Sequence, residues 1–180
     1  MIITISGLPG SGKTTVAEIL KGQLGVRYIS TGHIFREKAK RANMSLPDFS
    51  DLAEQNPGID QEIDEAQKEI LLQDNVILEG RLAGWIAHRN NLPALKIWLD
   101  CNQETRINRI VKREGNTREK KRDETRKREK SEKERYQKIY NIDLTNTDIY
   151  DLVINTANKK PSEISRIIME ELDHQNIWHR

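Results

Sequence analysis

Residues 7–15 read GLPGSGKTT, a stretch whose residue types and spacing suit the binding of phosphate. Gly7 is followed after four residues by Gly12, Lys13 and Thr14, which is the spacing of phosphate-binding loops. Small residues let backbone N–H groups point inward at an anion, and the lysine adds a positive charge near the β- and γ-phosphates. The loop therefore predicts a site for ATP or a similar triphosphate, formed by Gly7, Leu8, Pro9, Gly10, Ser11, Gly12, Lys13, Thr14 and Thr15.

The segments on either side of this loop are of the kinds that such a site requires. Residues 1–6, MIITIS, form an apolar run of the length of a buried strand, and the next segment places Val16, Ile19 and Leu20 on one helical stripe. A helix that begins at the loop directs free N–H groups and the positive end of its dipole at bound phosphates. Thr14, at the helix start, is a candidate ligand of the Mg²⁺ that accompanies ATP.

Further along the chain, apolar runs alternate with helical patterns. The runs VRYIS, NVILEG, LKIWLDC and YDLVINT are typical of strands, and the first covers residues 26–30. A helix follows it, and residues 46–73 are helical in period but interrupted by Pro57 and Gly58, which predicts two short helices. A last helix follows Pro161. This alternation predicts βαβ units and a parallel sheet of five strands.

Length and composition restrict the class of protein. The chain has 180 residues, a length that suits one domain with a sizeable core, and its formal net charge is +2. Its single cysteine, Cys101, has no partner for an internal disulfide, and no charged-then-apolar leader precedes the first strand, so we expect a cytoplasmic protein. No apolar stretch approaches the roughly 20 residues of a membrane-spanning helix. We expect Trp85, Trp98 and Trp178 to pack within the protein rather than to stack on a base.

The charge is unevenly distributed along the chain. Between Lys112 and Lys138 the sequence has 13 lysines and arginines but 7 aspartates and glutamates. By composition alone, such a run is typical of a solvated helix or of a disordered segment. Residues 116–140 lack a continuous apolar stripe, so we expect them to bury little against the core and to open and close as a lid.

Several motifs together resemble the nucleoside monophosphate kinases, and most closely the archaeal-type cytidylate kinases. These motifs are GLPGSGKTT, STGHIFRE, EGRLAGW, RIVKREG and REKSEKERY, and they extend over nearly the whole chain. The Glu-Gly-Arg of residues 79–81 recurs in cytidylate kinases, where adenylate kinases typically have a Gly-Phe-Pro-Arg pattern. Arg128-Glu129, Glu132 and Arg135 are similar to the arginine, acid, acid, arginine series in the lid of bacterial cytidylate kinases. The resemblance favours CMP over AMP as the phosphate acceptor.

The resemblance implies a P-loop α/β fold with a five-stranded parallel sheet in the order 2-3-1-4-5, flanked by helices. It implies a single kinase domain over residues 1–180, in which residues 31–73 bind the nucleoside monophosphate and residues 116–140 form the lid. The implied reaction moves the γ-phosphate of ATP, bound with Mg²⁺, to CMP or dCMP. We therefore expect small nucleotides as partners, no nucleic acid, no membrane and a monomeric protein.

The resemblance also assigns roles to arginines around the pocket. Arginine suits this chemistry because it is always charged and binds phosphate through two parallel N–H bonds. Arg36 and Arg81 would hold the phosphate of CMP, and Arg128 and Arg135 would fold over the transferring group, so that the catalytic set is Lys13, Arg81, Arg128 and Arg135. Supporting residues would be Thr31, Gly32 and Gly80 on the CMP side, Arg113 at the phosphates of ATP and Arg109 against its adenine.

Asp60, Asp64 and Gln67 are candidates for reading the base. Their spacing could place them on one face of a helix, where carboxylates would accept a hydrogen bond from the amino group of cytosine. Acids that are simply solvated on a helix surface are the more common case, and from the spacing alone that interpretation is preferred. His33 stands where related kinases usually have an acid, so no role of that acid is assigned here.

Other functions remain open from the sequence. An adenylate kinase or another small-metabolite kinase would share the loop and the sheet. A P-loop switch or motor protein normally has an acid after an apolar strand, whereas the third strand here ends in Glu79-Gly80-Arg81, and the Asn-Lys-x-Asp stretch of a GTPase is absent. An RNA-binding role of the basic segment predicts tight, salt-sensitive binding, which a net charge of +2 supports little.

Overall fold

The strands form one parallel sheet. A computed structural model describes residues 1–73 and 75–175. Across the sheet the order is β2-β3-β1-β4-β5, and every adjacent pair is parallel. The predicted fold class and strand order are therefore confirmed. The strands are β1 (Ile2–Ser6), β2 (Arg27–Ser30), β3 (Val76–Glu79), β4 (Ala94–Asp100) and β5 (Leu152–Asn155).

Helices connect these strands. The two helices predicted on either side of Pro57 are confirmed, because Asn56 ends the first and its side chain caps the second by accepting a hydrogen bond from Gly58 N at 3.1 Å. Among the described residues, no helix is both long and apolar enough to cross a membrane. The helices are α1 (Lys13–Leu24), α2 (Thr31–Arg41), α3 (Leu46–Gln55), α4 (Pro57–Leu72), α5 (Ala83–Arg89), α6 (Gln103–Glu114), α7 (Arg118–Tyr140) and α8 (Pro161–His174).

Alternate residues of the strands pack on opposite faces of the sheet. On one face, Ile3 of β1 packs in a buried cluster with Leu20 of α1 and Ile168 of α8. On the other face, Leu78 of β3 packs in a second cluster with Ile86 of α5. This alternation is the two-residue period of a strand, and it leaves the sheet covered by helices on both sides. The strand ends are therefore held in fixed positions.

The carboxyl ends of the strands lie at one edge of the sheet, and the candidate residues follow them. β1 leads into the glycine loop, β2 ends at Ser30 immediately before Thr31, and β3 ends at Glu79 immediately before Gly80. Ligands of open parallel sheets bind at this edge, because loops from several strands meet there. The topology thus gathers segments that are distant in the sequence.

Helix α7 is attached to the rest of the protein at its C-terminal end. Tyr136 and Tyr140 pack against the apolar cluster on the α5 side of the sheet, and Glu132 and Arg135 are buried. The prediction that residues 116–140 bury little is therefore wrong for the last turns of this helix. Two tyrosines one turn apart provide the attachment without a continuous apolar stripe, which is why the hydrophobic pattern did not reveal it.

The tryptophans pack as predicted where the structure describes them. Trp98 is buried and its ring lies 5.3 Å from that of Tyr150. Trp85 packs, partly buried, against the apolar cluster beside α5. Trp178 lies outside the described residues. The two described tryptophans thus contribute to packing around the sheet.

Candidate active site

A cavity of about 190 Å³ lies at the carboxyl edge of the sheet, between the glycine loop, α2, α4 and α7. Many of the predicted site residues line this one space. They are Pro9, Gly10, Gly12, Lys13, Thr14, Thr15, Thr31, Gly32, Arg36, Asp60, Asp64, Gly80, Arg81, Arg113, Arg128 and Arg135. The remaining predicted residues, Gly7, Leu8, Ser11 and Arg109, lie outside its lining.

The glycine loop follows a path that side chains would block. Gly10 has a φ of 80°, and a Cβ atom there would lie 2.6 Å from the backbone oxygen of Arg106 in α6. Gly12, with a φ of 97°, is the cap residue immediately before α1. Glycine adopts such backbone angles at little cost. No side chain caps the start of α1 in the described part of the chain, so the N–H groups of its first turn are available to an anion.

Lys13 is buried next to this loop. Its Nζ donates a hydrogen bond to the carbonyl oxygen of Leu8 at 3.0 Å, and the residue is 8% exposed. Burial lowers the pKa of Lys13 to about 8, an effect that the nearby Glu79 carboxylate opposes. The lysine is therefore still mainly protonated at neutral pH, and its charge lies where a phosphate would bind.

Glu79 forms hydrogen bonds with two hydroxyl groups. Its Oε2 accepts from Thr14 Oγ1 at 3.2 Å and from the hydroxyl of Tyr28 at 2.7 Å. Burial and the Glu79 carboxylate raise the pKa of Tyr28, which keeps the phenol protonated as a donor. Because the Thr14 hydrogen points at Glu79, the lone pairs of the Thr14 oxygen remain free.

These oxygen atoms fit a magnesium ion. Mg²⁺ prefers hard oxygen ligands, and it usually takes one or two groups from the protein together with substrate phosphates and water. Thr14 and Glu79 offer a hydroxyl and a carboxylate beside the glycine loop. Elsewhere in residues 1–73 and 75–175, no group of three or more His, Cys, Asp or Glu side chains is arranged to hold a metal.

The loop after β3 brings a guanidinium group to the cavity. A Cβ atom at Gly80 would lie 2.3 Å from Thr31 Oγ1, so only glycine lets this loop approach α2 so closely. The Arg81 side chain is 14% exposed and forms an ion pair with Glu132 of α7. Burial lowers the pKa of Arg81. Arg36 lines the same cavity from α2, so two guanidinium groups are available to an anion.

Gln67 connects the start of α2 to the acids of α4. Its Oε1 accepts a hydrogen bond from Thr31 Oγ1 at 2.7 Å, and its Nε2 donates to Asp64 Oδ1 at 2.8 Å. Burial raises the pKa of Asp64 to about 7 and also raises that of Asp60. The prediction that Asp60, Asp64 and Gln67 share one face is confirmed, since all three line the cavity. The alternative of a solvated acid is wrong for Asp60, which is 5% exposed.

Two arginines of α7 reach the cavity together with acidic partners. Arg128 Nε donates a hydrogen bond to Glu132 Oε1 at 3.0 Å. Glu132 also pairs with Arg81, so its carboxylate lies between an arginine of α7 and one of the sheet edge. Arg135 Nε donates to Asp60 Oδ2 at 2.8 Å. A phosphate that binds either α7 arginine must therefore share it with a carboxylate or displace that carboxylate.

The two predicted arginines of α6 are placed differently. Arg109 donates from Nη1 to Thr156 Oγ1 at 3.1 Å and from Nη2 to the Thr156 carbonyl oxygen at 2.6 Å, which fixes it against the segment after β5. Arg113 lines the cavity, pairs with Glu114 at 2.5 Å and has a side chain that is 63% exposed. The role of Arg109 at an adenine ring stays a prediction, while Arg113 is free to turn toward a bound phosphate.

Sequence reasoning missed several residues of this site. Tyr28 lies in a segment whose pattern indicates a strand, and Tyr136 lies in one whose pattern indicates a charged helix, so neither pattern indicated a role in the site. Glu79 entered the sequence comparison only as part of a family motif. The position of Glu79 at the end of a buried strand is a signal that could have identified it. Arg106 was also missed, although it lies one helical turn before Arg109 and is 4% exposed.

A second cavity, of about 280 Å³, lies between α4 and α5. Its walls include Trp85, Ile86 and Tyr140, and it shares Asp64 and Leu82 with the cavity at the sheet edge. It is the larger of the two, but neither the glycine loop nor Arg81 lines it. We therefore place the candidate site at the sheet edge, where the groups that bind phosphate converge.

Comparisons with known proteins agree with this geometry. A protein-family model described as the cytidylate kinase-like family matches residues 2–158. Cytidylate kinase of Archaeoglobus fulgidus is 45% identical over 178 residues, which cover 98% of this chain and 97% of that protein. Cytidylate kinase of Methanocaldococcus jannaschii is 46% identical over 175 residues, which cover 97% of this chain and 98% of that protein. The resemblance seen in the sequence motifs is confirmed.

A solved structure shares the fold at much lower sequence identity. A gluconokinase of Sinorhizobium meliloti superimposes with a TM-score of 0.64 over 99% of this chain and 95% of its own, at 14% identity. At this identity the likeness concerns the fold alone.

Proposed function

Because the chain belongs to the cytidylate kinase-like family, we propose that it transfers the γ-phosphoryl group of ATP to CMP, and also to dCMP. One observation carries this proposal, namely that several positive groups suited to anions line a single cavity. Lys13 lines it at the start of α1, and Arg36 and Arg81 line it from α2 and from the loop after β3. Such a cavity suits a reaction in which a phosphate group is both donor and acceptor.

Phosphoryl transfer to CMP requires that the two nucleotides be positioned, and it does not require a catalytic base. The acceptor oxygen of CMP is already an anion, and the transition state of phosphoryl transfer is loose and highly charged. Two anions that repel each other must be brought into line, and water must be kept out. The positive groups around the cavity lower the barrier by stabilising charge on the oxygens of the moving group.

At the donor end, the N–H groups of the first turn of α1 and the charge of Lys13 would bind the phosphates of ATP. Arg113 would turn toward the same phosphates, and Arg109 would lie near the adenine. The buried position of Lys13 supports this assignment, because its charge is not screened by bulk water there.

At the acceptor end, Arg36 and Arg81 would hold the phosphate of CMP, with Thr31, Gly32 and Gly80 forming the adjacent wall. Asp60 and Asp64 would accept hydrogen bonds from the amino group of cytosine. In this proposal residues 31–73 form the CMP-binding part of one kinase domain. The hydrogen bonds of Gln67 to Thr31 and Asp64 support it, because they join the phosphate side to the base side.

We assign residues 116–140 as the lid. Arg128 and Arg135 would contact the transferring group when the lid is closed, and together with Lys13 and Arg81 they would form the catalytic set. Supporting this assignment, both α7 arginines line the cavity, and the attached C-terminal end of α7 offers a fixed base about which its remainder can move.

Magnesium bound with ATP supplies positive charge to the phosphate oxygens. Thr14 would be its protein ligand, and Glu79 would orient the Thr14 hydroxyl and add a negative charge next to the cation. The same carboxylate fixes Tyr28, which ties β2 to this position. We further propose a monomeric cytoplasmic protein that binds neither nucleic acid nor membranes. Residues of a single chain line the cavity, which supports the monomeric state.

A coupled assay of ADP formation tests the proposal. ATP and Mg²⁺ are held constant, and CMP, dCMP, UMP, AMP and GMP are compared by kcat/KM, with a reaction that lacks acceptor as the control. We expect CMP and dCMP to be the best acceptors. A preference for AMP, or ADP formation that does not depend on any acceptor, would overturn the proposal.

A further inference from the structure

Arg106 is a buried arginine that joins three parts of the protein. It lies in the first turns of α6 and is 4% exposed. Its Nε donates a hydrogen bond to the carbonyl oxygen of Cys101, just after β4, at 3.0 Å. Its Nη1 donates to the carbonyl oxygen of Pro9, in the glycine loop, at 3.0 Å. The guanidinium group is therefore fixed at the back of the loop rather than inside the cavity.

The charge of Arg106 is paired with Glu129 of α7. Nη1, which contacts Pro9, also forms an ion pair with Glu129 Oε1, and the two side chains are 5% and 18% exposed. Within the described part of the chain, this is the ion pair that Arg106 forms. A buried charge that loses its partner is strongly unfavourable, because water cannot replace the partner. The position of Glu129 is therefore coupled to that of the glycine loop.

Glu129 directly follows Arg128 and precedes Glu132 by one helical turn. A contact that fixes Glu129 therefore also fixes where α7 places Arg128 over the cavity. Other contacts between α6 and α7 differ in burial: Glu104 pairs with Arg118 and Arg122, but its side chain is 56% exposed. Exposed pairs of this kind contribute little, so of these contacts between α6 and α7 the buried pair is the one expected to fix the position of Glu129.

We propose that Arg106 is a positioning residue that couples the glycine loop to α7 through Glu129, and so places Arg128 for phosphoryl transfer. The inference rests on the proposed kinase function. Arg106 itself touches no substrate; it acts on the reaction by holding α7 in the one arrangement that suits a loop occupied by ATP. Loss of the pair should thus slow the chemical step rather than weaken nucleotide binding.

The first test compares Glu129→Gln with Glu104→Gln. Both substitutions remove one carboxylate at the interface of α6 and α7 and keep the size of the side chain, but only the first removes the buried pair. We expect Glu129→Gln to lower kcat about tenfold or more while KM for ATP and CMP changes less than about threefold, and Glu104→Gln to change neither. An equal response of the two variants, or a rise in KM without loss of kcat, would overturn the proposal.

A second test uses ATP binding without any acceptor. Amide exchange is measured across residues 118–140 with and without a non-hydrolysable ATP analogue and Mg²⁺. We expect the analogue to slow exchange in the wild type and in Glu104→Gln, but not in Glu129→Gln. The same slowing in Glu129→Gln would overturn the coupling. This result does not depend on CMP being the acceptor, so a failure of the proposed function would appear in the ADP assay alone.

An Arg106→Gln variant completes the test. This variant and the double variant with Glu129→Gln are compared by kcat in a double-mutant cycle, with thermal unfolding as a measure of folding. Two residues that act as one unit should give a double variant no slower than the slower single variant. Additive losses would contradict the proposal. If Arg106→Gln alone does not fold, the Glu129→Gln comparison still decides it.

Discussion

Arg135 of α7 and Asp60 of α4 form a buried ion pair in which Arg135 Nε lies 2.8 Å from Asp60 Oδ2. The sequence suggested separate tasks for them, since Arg135 was expected at the transferring phosphoryl group and Asp60 at the base. The pair joins α7 to the helix that carries the acids, and the carboxylate raises the pKa of Arg135 against the opposing effect of burial. In the proposed site, CMP bound near Asp60 would therefore affect the position of Arg135.

The first prediction concerns Arg135. Arg135→Ala should lower kcat strongly while nucleotide affinity stays within a few-fold, as expected of an interaction made mainly in the transition state. It should also destabilise the fold, because Asp60 is left buried without its partner, by about 3–5 kcal/mol for such pairs.

Two further variants separate these effects. Arg135→Ala combined with Asp60→Asn should recover stability in urea unfolding without recovering kcat. Lys130→Ala, on the same helix with a side chain that is 78% exposed, should change neither quantity. Equal small effects of the Arg135 and Lys130 substitutions on kcat would return α7 to the interpretation of a solvated helix.

Lys13→Ala should reduce turnover by at least about two to three orders of magnitude, because it removes a charge that acts on the transferring group. The free energy of unfolding should hardly change, because relief of the burial cost of the charge is offset by loss of the Lys13 hydrogen bond to the Leu8 carbonyl oxygen. Lys21→Ala, at an exposed position of the same helix, is the matched control. If the Lys13 variant kept more than about a tenth of wild-type activity, the phosphate-loop assignment would be wrong.

The lowered pKa of Lys13 predicts a pH dependence of ATP use. The free enzyme loses the lysine proton as pH rises through about 8, and the neutral amine binds phosphate poorly. The value of kcat/KM for ATP should therefore be constant below this pH and fall above it, toward about tenfold per pH unit. Lys13→Arg, which keeps its charge, should show lower activity but no such fall. A wild-type profile that stays flat to pH 9.5 would refute the assignment.

Arg36→Ala should raise KM for CMP much more than KM for ATP, because Arg36 is assigned to the acceptor side only. Arg81→Ala should act in the same direction, with an added loss of kcat because Arg81 also pairs with Glu132. Arg41→Ala, exposed at the end of the same helix as Arg36, is the control. Damage to ATP binding with CMP binding spared would overturn the acceptor assignment of this pair.

Asp64 predicts a pH dependence of stability. Its pKa rises from an ordinary value of 3.8 to about 7 in the folded protein, so the folded state binds more protons than the unfolded state between these values. Stability from this group is therefore lost as pH rises through that range. As pH rises from 4 to 7, the free energy of unfolding of Asp64→Asn, measured with urea, should increase relative to that of the wild type by on the order of 1–3 kcal/mol. Glu65→Gln, with a side chain that is 60% exposed, should show the same change of unfolding free energy with pH as the wild type. The prediction would be contradicted if Asp64→Asn also followed the pH dependence of the wild type.

Local patterns in the sequence were enough to predict the glycine loop, the five strands and the helix break at Pro57 and Gly58. These features depend on local causes: glycine spacing, apolar runs of strand length, and a proline followed by glycine. The placement of Arg81 beside the glycine loop came from the resemblance to known kinases. The order of the strands came from the resemblance to known kinases, since local patterns do not specify it.

The contacts of α7 with the rest of the protein could be read only from the folded chain. Its charged sequence offers many arginines and acids at similar spacing, so no local pattern selects which of them are buried. The pairs that matter join residues 23 positions apart, Arg106 and Glu129, and 75 positions apart, Arg135 and Asp60. Such pairs form because a charge buried next to the loop or α4 must be paired, and the partner comes within reach only after the chain has folded.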